Sequence, residues 1–277
     1  MKRNKNIFNK LKWIWIKSKI IQLVIPLIFA ASCTQEAPVA GYVERPVEEI
    51  YNEALVVLEQ RDYEEAAYLF DEVERQHPYS KWATKAQLMS AYSFYQDDAF
   101  DSAVIALDRF IQLHPTSPDA PYAYYLKALC YYEQISNVTR DQNMTEVASK
   151  ILKEIITRFP KSKYAKDAKL KLDLTRDHLA GKEMEIGRYY LKQGQYLAAI
   201  NRFKNVAVKF QSTTHVPEAL HRLAETYVAI GIKLEAQKVA AILGHNFPGS
   251  PWYTDSYALV EGKLIKPKED DPWYKLW

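Results

Sequence analysis

His77, His114, His178, His215, His221 and His245 are the side chains of this 277-residue chain best suited to proton transfer or metal ligation, and their spacing supports neither. No two stand four residues apart, as a helical HExxH zinc motif requires. Carboxylate pairs such as Glu64-Glu65 fall on helix faces expected to meet water, and eight glycines leave little material for a phosphate-cradling loop. No catalytic residue, metal or cofactor is assigned, and an enzyme is not expected. The side chains with scope for recognition are the tyrosines, twenty in all, with a cluster at Tyr92, Tyr95, Tyr122, Tyr124, Tyr125, Tyr131 and Tyr132. Any one of them reads as packing, because tyrosine fills helix interfaces while its hydroxyl stays wet. The cluster reads as a groove for an extended, aromatic-rich peptide, since binding surfaces are enriched in tyrosine. Tyr92, Tyr95, Tyr124 and Tyr131 are the groove candidates.

Cys33 has a different context. Residues 1–32 carry Lys2, Arg3, Lys5, Lys10, Lys12, Lys17 and Lys19 with no acid, then an apolar run from Ile20 to Ala31. A basic start, a short apolar stretch and small residues before the cysteine mark a secretory signal. The run is too short for a membrane span, which needs roughly 20 residues, and Pro26 interrupts it. Ala30-Ala31-Ser32-Cys33 resembles the lipobox of bacterial lipoproteins, which implies lipidation of Cys33 and an N-terminal anchor. Thr34 follows it instead of the Asp that retains many lipoproteins in the inner membrane, so the resemblance implies the outer membrane. Each buried methylene adds about 0.8 kcal/mol, and two or more acyl chains hold stably where one does not. Without the leader, 30 basic residues face 34 acidic ones, net –4. That balance gives no electrostatic footprint for nucleic acid. Cys130, the other cysteine, reads as a small buried side chain among tyrosines.

A repeat positions the tyrosines. RDYEEAAYLFDEVERQHPYSKWA (61–83) and DAFDSAVIALDRFIQLHPTSPDA (98–120) share one pattern: an anchor, Ala at +3, Pro at +15 and Ser at +17. The anchors of five copies are Tyr63, Phe100, Thr145, Tyr196 and Lys233; the fourth replaces Pro and Ser with Gln211 and Thr213. Apolar residues recur at helical spacing after each anchor, and proline then stops the helix. Ser80, Ser117, Ser162, Thr213 and Ser250 are expected as N-caps of the next helix. Small residues follow at +23, namely Ala86, Ala123, Ala168 and Ala219, with Ala91, Ala128 and Ala224 five further on. His77 and His114 occupy the residue before the proline and read as structural. The pattern resembles the tetratricopeptide (TPR) repeat, whose hairpins stack into a superhelix. The expected fold is therefore all-α, a superhelical solenoid of about five TPR-like hairpins.

The anchors are 37, 45, 51 and 37 residues apart. The extra residues of the second interval fall in a polar loop, Ser136 to Met144. Those of the third lengthen a helix, Tyr164 to Lys192, by about 21 Å at 1.5 Å per residue, with Gly181 as a candidate break. The expected organisation is a signal at 1–32, a lipidated tether at 33–45, an N-terminal half at 46–180, a C-terminal half at 181–261 and a flexible tail at 262–277. The long central helix joins the halves.

More specific residues fill this frame: DRFIQLHPTSP (108–118), Arg140-Asp141-Gln142, FPKSKYAKDA (159–168), LAGKE (179–183), YYLKQGQYLAAINR (189–202) and EAQKVA (235–240). With the lipobox, they make the chain similar to the BamD, or ComL, family of outer-membrane assembly lipoproteins over nearly all of its mature length. The resemblance implies a periplasm-facing, lipid-anchored scaffold that binds the POTRA domains of the insertase BamA, other Bam lipoproteins and unfolded outer-membrane β-barrel proteins. It implies that the C-terminal half faces BamA, with Arg202 of the AxNR motif at the contact; Asn201 is added here as its neighbour. It further implies that the N-terminal half receives the aromatic-ended signal of substrates, with His77 a candidate contact. Without the resemblance, Arg202 reads as an exposed charge in a local ion pair, typically worth under 1 kcal/mol.

The alternative function is a periplasmic TPR lipoprotein adaptor for cell-wall or envelope processes. It would call for a coiled-coil segment before the repeats, and Thr34 to Arg45 is too short and contains Pro38. A wall-cleaving enzyme would need a separate catalytic domain, while repeats occupy the chain from about Pro46 to Val260.

Overall fold

The computed structural model describes residues 44–262; the signal, Cys33, most of the tether and the tail beyond Gly262 lie outside the described residues. In each copy of the repeat, the residues at +3, +7 and +10 make one apolar stripe. Ala66, Phe70 and Val73 form it in the first copy, and Ala199, Phe203 and Val206 in the fourth; all six are fully buried. Complete burial of a Phe or Val side chain contributes roughly 1.5–3 kcal/mol.

Among the described residues these stripes organise eleven helices: α1 (Val47–Glu59), α2 (Tyr63–Gln76), α3 (Lys81–Gln96), α4 (Phe100–Leu113), α5 (Ala120–Glu133), α6 (Asn143–Arg158), α7 (Lys163–Lys192), α8 (Tyr196–Lys209), α9 (Val216–Ala229), α10 (Lys233–Asn246) and α11 (Pro251–Val260). Among the described residues there is no strand. Each helix packs on its neighbours in the chain, and α1–α3, α3–α5, α5–α7 and α9–α11 also touch. The result is the expected TPR-like solenoid, with five hairpins from α1/α2 to α9/α10 followed by α11.

The turns between hairpins obey one rule. His77, His114, Phe159, Phe210 and Phe247 end their helices, and each N–H still reaches the carbonyl four residues back. The carbonyl of that same residue accepts from the N–H of Ser80, Ser117, Ser162, Thr213 or Ser250 at 3.0 or 3.1 Å. In four of these turns proline therefore occupies the second position of a β-turn, where its fixed φ is already correct, and Gln211 takes that place in the other. The expected capping role of these hydroxyls is corrected by this geometry. Ser80 accepts a capping bond from the Ala83 N–H at 3.0 Å, and Ser117 Oγ accepts from the N–H of the next N-cap residue, Asp119, at 3.2 Å. Ser162 and Ser250 stand at N-cap positions without a side-chain bond. Ser117 and Thr213 precede the N-caps Asp119 and His215 by two residues, because Pro121 and Pro217 lie in the first turns of α5 and α9, where a missing N–H is harmless.

Helix α7 runs unbroken for 30 residues, about 45 Å at 1.5 Å per residue. Gly181 is not a break. It is buried, and a Cβ there would lie 3.2 Å from His215 Nε2. The apolar core changes hands along this helix. Ala168 and Leu172 belong to a cluster with Leu152 and Ile155 of α6, whereas Ala180 and Met184 belong to one with Phe203 of α8 and Leu223 of α9. Polar contacts grip the stretch between them. The Thr214 N–H and hydroxyl donate to Asp177 Oδ1 at 2.9 and 2.8 Å, Arg176 donates to the Lys209 carbonyl, and His178 Nε2 lies 2.8 Å from the Ser136 carbonyl. The inserted loop before α6 is thus a clamp on the middle of α7, reinforced by Lys182 donating to the Thr139 carbonyl at 2.9 Å.

Candidate partner-binding surfaces

The first surface lies in a cleft between α7 and α8, of about 570 Å³, lined by Glu183, Tyr190, Asn201, Arg202, Lys204, Asn205 and Lys209 among others. Arg202 lies one position before Phe203, whose burial turns the guanidinium to the partly exposed flank of α8. Its Nη1 donates to both oxygens of Glu183 at 3.3 Å, with the two side chains 40% and 18% exposed. One nitrogen serving two oxygens at that distance is a weak substitute for the parallel two-bond fork an arginine can make with a carboxylate. Lys204 and Lys209 leave the cleft rich in cations. Asn201 is exposed beside Arg202. The local ion pair expected of an exposed arginine is therefore present, and it is loosely made.

The second surface is aromatic. Tyr92 and Tyr95 of α3 stand beside Tyr122 and Tyr125 of α5, and the Tyr164 ring of α7 lies 5.4 Å from Tyr122 and 5.1 Å from Tyr125, stacked on the latter. Burial pushes the hydroxyls of Tyr122 and Tyr125 well above the ordinary phenol range, and the neighbouring tyrosines or Asp167 add to it. They remain neutral donors. The Tyr125 hydroxyl donates to Asp167, whose carboxyl is held below its usual range by hydrogen bonds from Lys171 and then Tyr125. Such a shelf offers apolar ring surface with hydroxyls at its edge.

The sequence-predicted residues do not all meet there. Tyr124 and Tyr131 lie on the other face of α5 and pack on the α6 cluster, which Tyr125 also touches from its edge of the shelf. Arg158 sits over the Tyr124 ring at 4.8 Å and Phe159 lies 5.5 Å from it. His77 is half-buried in the α2–α3 turn, and Tyr92 is twelve residues beyond the Ser80 cap, about 18 Å along the helix axis. Its repeat mate His114 is 3.0 Å from Gln87 Oε1, and its ring packs on Phe110, in the structural role expected. Tyr122, Tyr125 and Tyr164 complete the shelf instead. The signal for two of them was the i, i+3 spacing of 122 and 125, which separates them from 124 and 131 on a helix.

Cys33 lies outside the described residues. Cys130 is fully buried, and burial raises its thiol to about 12. Among the described residues no group of three or more His, Cys, Asp or Glu could hold a metal ion, and no helix is long and apolar enough to cross a membrane.

The model of the YfiO family, described as an outer membrane lipoprotein, matches residues 43–242. The chain belongs to this family. The match runs from the first helix into α10 and so takes in both surfaces. Two relatives of the YfiO chain are called outer membrane protein assembly factor BamD. The one from Caulobacter vibrioides is 48% identical over 249 residues, 89% of this chain and 82% of the relative. The one from Rickettsia prowazekii is 46% identical over 216 residues, 78% of this chain and 86% of the relative. Among solved structures, the TPR domain of P58(IPK) aligns with 78% of this chain and 56% of its own, at 15% identity and a TM-score of 0.41.

Proposed function

We propose that this protein is an outer-membrane protein assembly factor that works by docking and holding other chains rather than by catalysis. The observation that carries the reading is the 48% identity over 89% of the chain to a relative of that name. In this reading Cys33 is lipidated and anchors the solenoid to the outer membrane, facing the periplasm. The C-terminal half, 181–261, presents the Arg202 cleft to a POTRA domain of BamA, where a partner carboxylate replaces Glu183 and makes the two-bond fork. The N-terminal half, 46–180, offers the tyrosine shelf to unfolded β-barrel chains, whose strands carry aromatic residues. Other Bam lipoproteins complete the assembly.

The deciding experiment measures binding of the mature chain, with Cys33→Ser for solubility, to the POTRA domains of BamA from the same organism. Arg202→Glu should abolish tight binding. Binding that survives the substitution moves the contact elsewhere, and absence of binding in the parent chain sinks the reading.

A further inference from the structure

The edge of the solenoid formed by the last turns of α7, α9 and α11 and the first turns of α8 and α10 is apolar in a way the other hairpins are not. Adjacent helices run antiparallel, so these five termini share one edge; Tyr190, Leu191, Ile230 and Val260 all pack on the same cluster beneath it. Above them Leu197 is 74% exposed, Leu234 63% and Ile232 44%. Leu197 and Leu234 occupy the position one after the anchor. In the first three copies that position is Glu64, Asp101 and Glu146. An acid in the first turn suits the positive end of a helix, and the last two copies forgo it to put leucine in water. Large apolar side chains left exposed along one edge mark a surface that something covers.

The sequence supplies a cover at the same place. The chain leaves α11 at Val260, and the fifteen residues after Gly262 read KLIKPKEDDPWYKLW. Leu264 and Ile265 follow Val260 by four and five residues, a reach of at most about 13–18 Å of extended chain. Trp273, Tyr274, Leu276 and Trp277 follow, and the acidic run Glu269-Asp270-Asp271 between the two apolar groups is opposite in sign to Lys192 and Lys233, both exposed at this edge. We propose that residues 263–277 fold back over Leu197, Ile232 and Leu234 as an intramolecular cap. This docking stands apart from the assembly function proposed above and does not depend on it.

The test uses the full mature chain with Cys33→Ser and two introduced cysteines, Leu234→Cys and Tyr274→Cys. Cys130 stays, since it is buried. A control pairs Tyr274→Cys with Tyr79→Cys, a fully exposed site in the α2–α3 turn of the first repeat. Under copper–phenanthroline oxidation the Leu234 pair should close within one chain, at a rate independent of protein concentration and about tenfold or more above the control, as a raised effective concentration requires. Equal rates in the two pairs overturn the proposal. So does a product that is mainly a linked dimer growing with concentration, which assigns the surface to a second copy. Because the cysteines could perturb the tail, amide hydrogen exchange of the chain without them gives an independent reading. Residues 264–277 should be protected, and Leu197→Glu with Leu234→Glu should remove the protection; a tail already unprotected before substitution overturns the cap.

Discussion

At the scale of single residues, His221 makes a stability switch without touching either surface. Its Nδ1 lies 2.8 Å from Ser256 Oγ, its ring packs on Trp252 at 5.1 Å, and burial, with the Arg222 charge second, lowers its pKa from 6.5 to about 3. A base whose folded pKa is depressed contributes its full stability above the unfolded value and loses it as pH falls toward the folded one. Between pH 6.5 and 3 the protein should therefore lose up to ~1.4 kcal/mol per pH unit from this group. Melting curves of His221→Gln should show a shallower acid dependence in that window. Two glycines separate space from backbone. A Cβ at Gly187 would come within 2.4 Å of the buried Phe203 ring, so Gly187→Ala should destabilise by about 1–3 kcal/mol despite better helix propensity. Gly194 has open space around it but φ of +69°, so Gly194→Ala should cost about 1 kcal/mol through the backbone alone. Chemical denaturation of both variants checks the pair. At Arg202 the loose Glu183 pair is worth under about 1 kcal/mol. Glu183→Gln should accordingly tighten the proposed POTRA binding by no more than about fivefold, read in the same titration as Arg202→Glu.

The helices themselves were largely legible in the sequence. The +3, +7, +10 stripe located every turn between hairpins, with the +15 proline marking four of the five and Gln211 the other, and α7 begins one residue before the expected Tyr164 and ends at the expected Lys192. Gly187, nine residues before the Tyr196 anchor, holds the small-residue place that Ala54, Ala91 and Ala224 hold before theirs. What the sequence left hidden depends on neighbours rather than on periodicity. Whether a tyrosine on α5 faces α3 and α7 or α6 is decided by packing, so Tyr124 and Tyr131 were as plausible in a groove as Tyr122 and Tyr125. The recurring Ser and Thr after proline were misleading for a different reason: their backbone N–H, which every residue but proline has, does the turn-closing. Capping predictions follow from that difference. Ser80→Ala should cost about 1 kcal/mol by losing the bond from Ala83, and Ser250→Ala, which has no cap bond to lose, only a few tenths. Thermal denaturation of the two variants separates them.

Across the whole molecule, stability is spread over neighbouring contacts, as in other stacked-repeat chains. Met184 is fully buried in the cluster of α7, α8 and α9, so Met184→Ala should destabilise by about 2–5 kcal/mol. Hydrogen exchange should show that loss in α8–α10 well before α2–α4, whose clusters share no residue with it. Cys33→Ser should leave the melting temperature unchanged and move the protein out of the outer-membrane fraction; recovery there at parental levels would refute lipid anchoring. The unbroken α7 carries a consequence for how such a chain can change length. Each residue added to a helix turns everything after it by about 100° and advances it 1.5 Å. One inserted residue in the polar stretch near Asp177 would therefore swing the Arg202 cleft round to a different side from the tyrosine shelf. Seven would return it to within about 20° of its original bearing. In related chains, insertions in this helix should be tolerated in sevens and excluded in ones, so that the two surfaces keep their common phase.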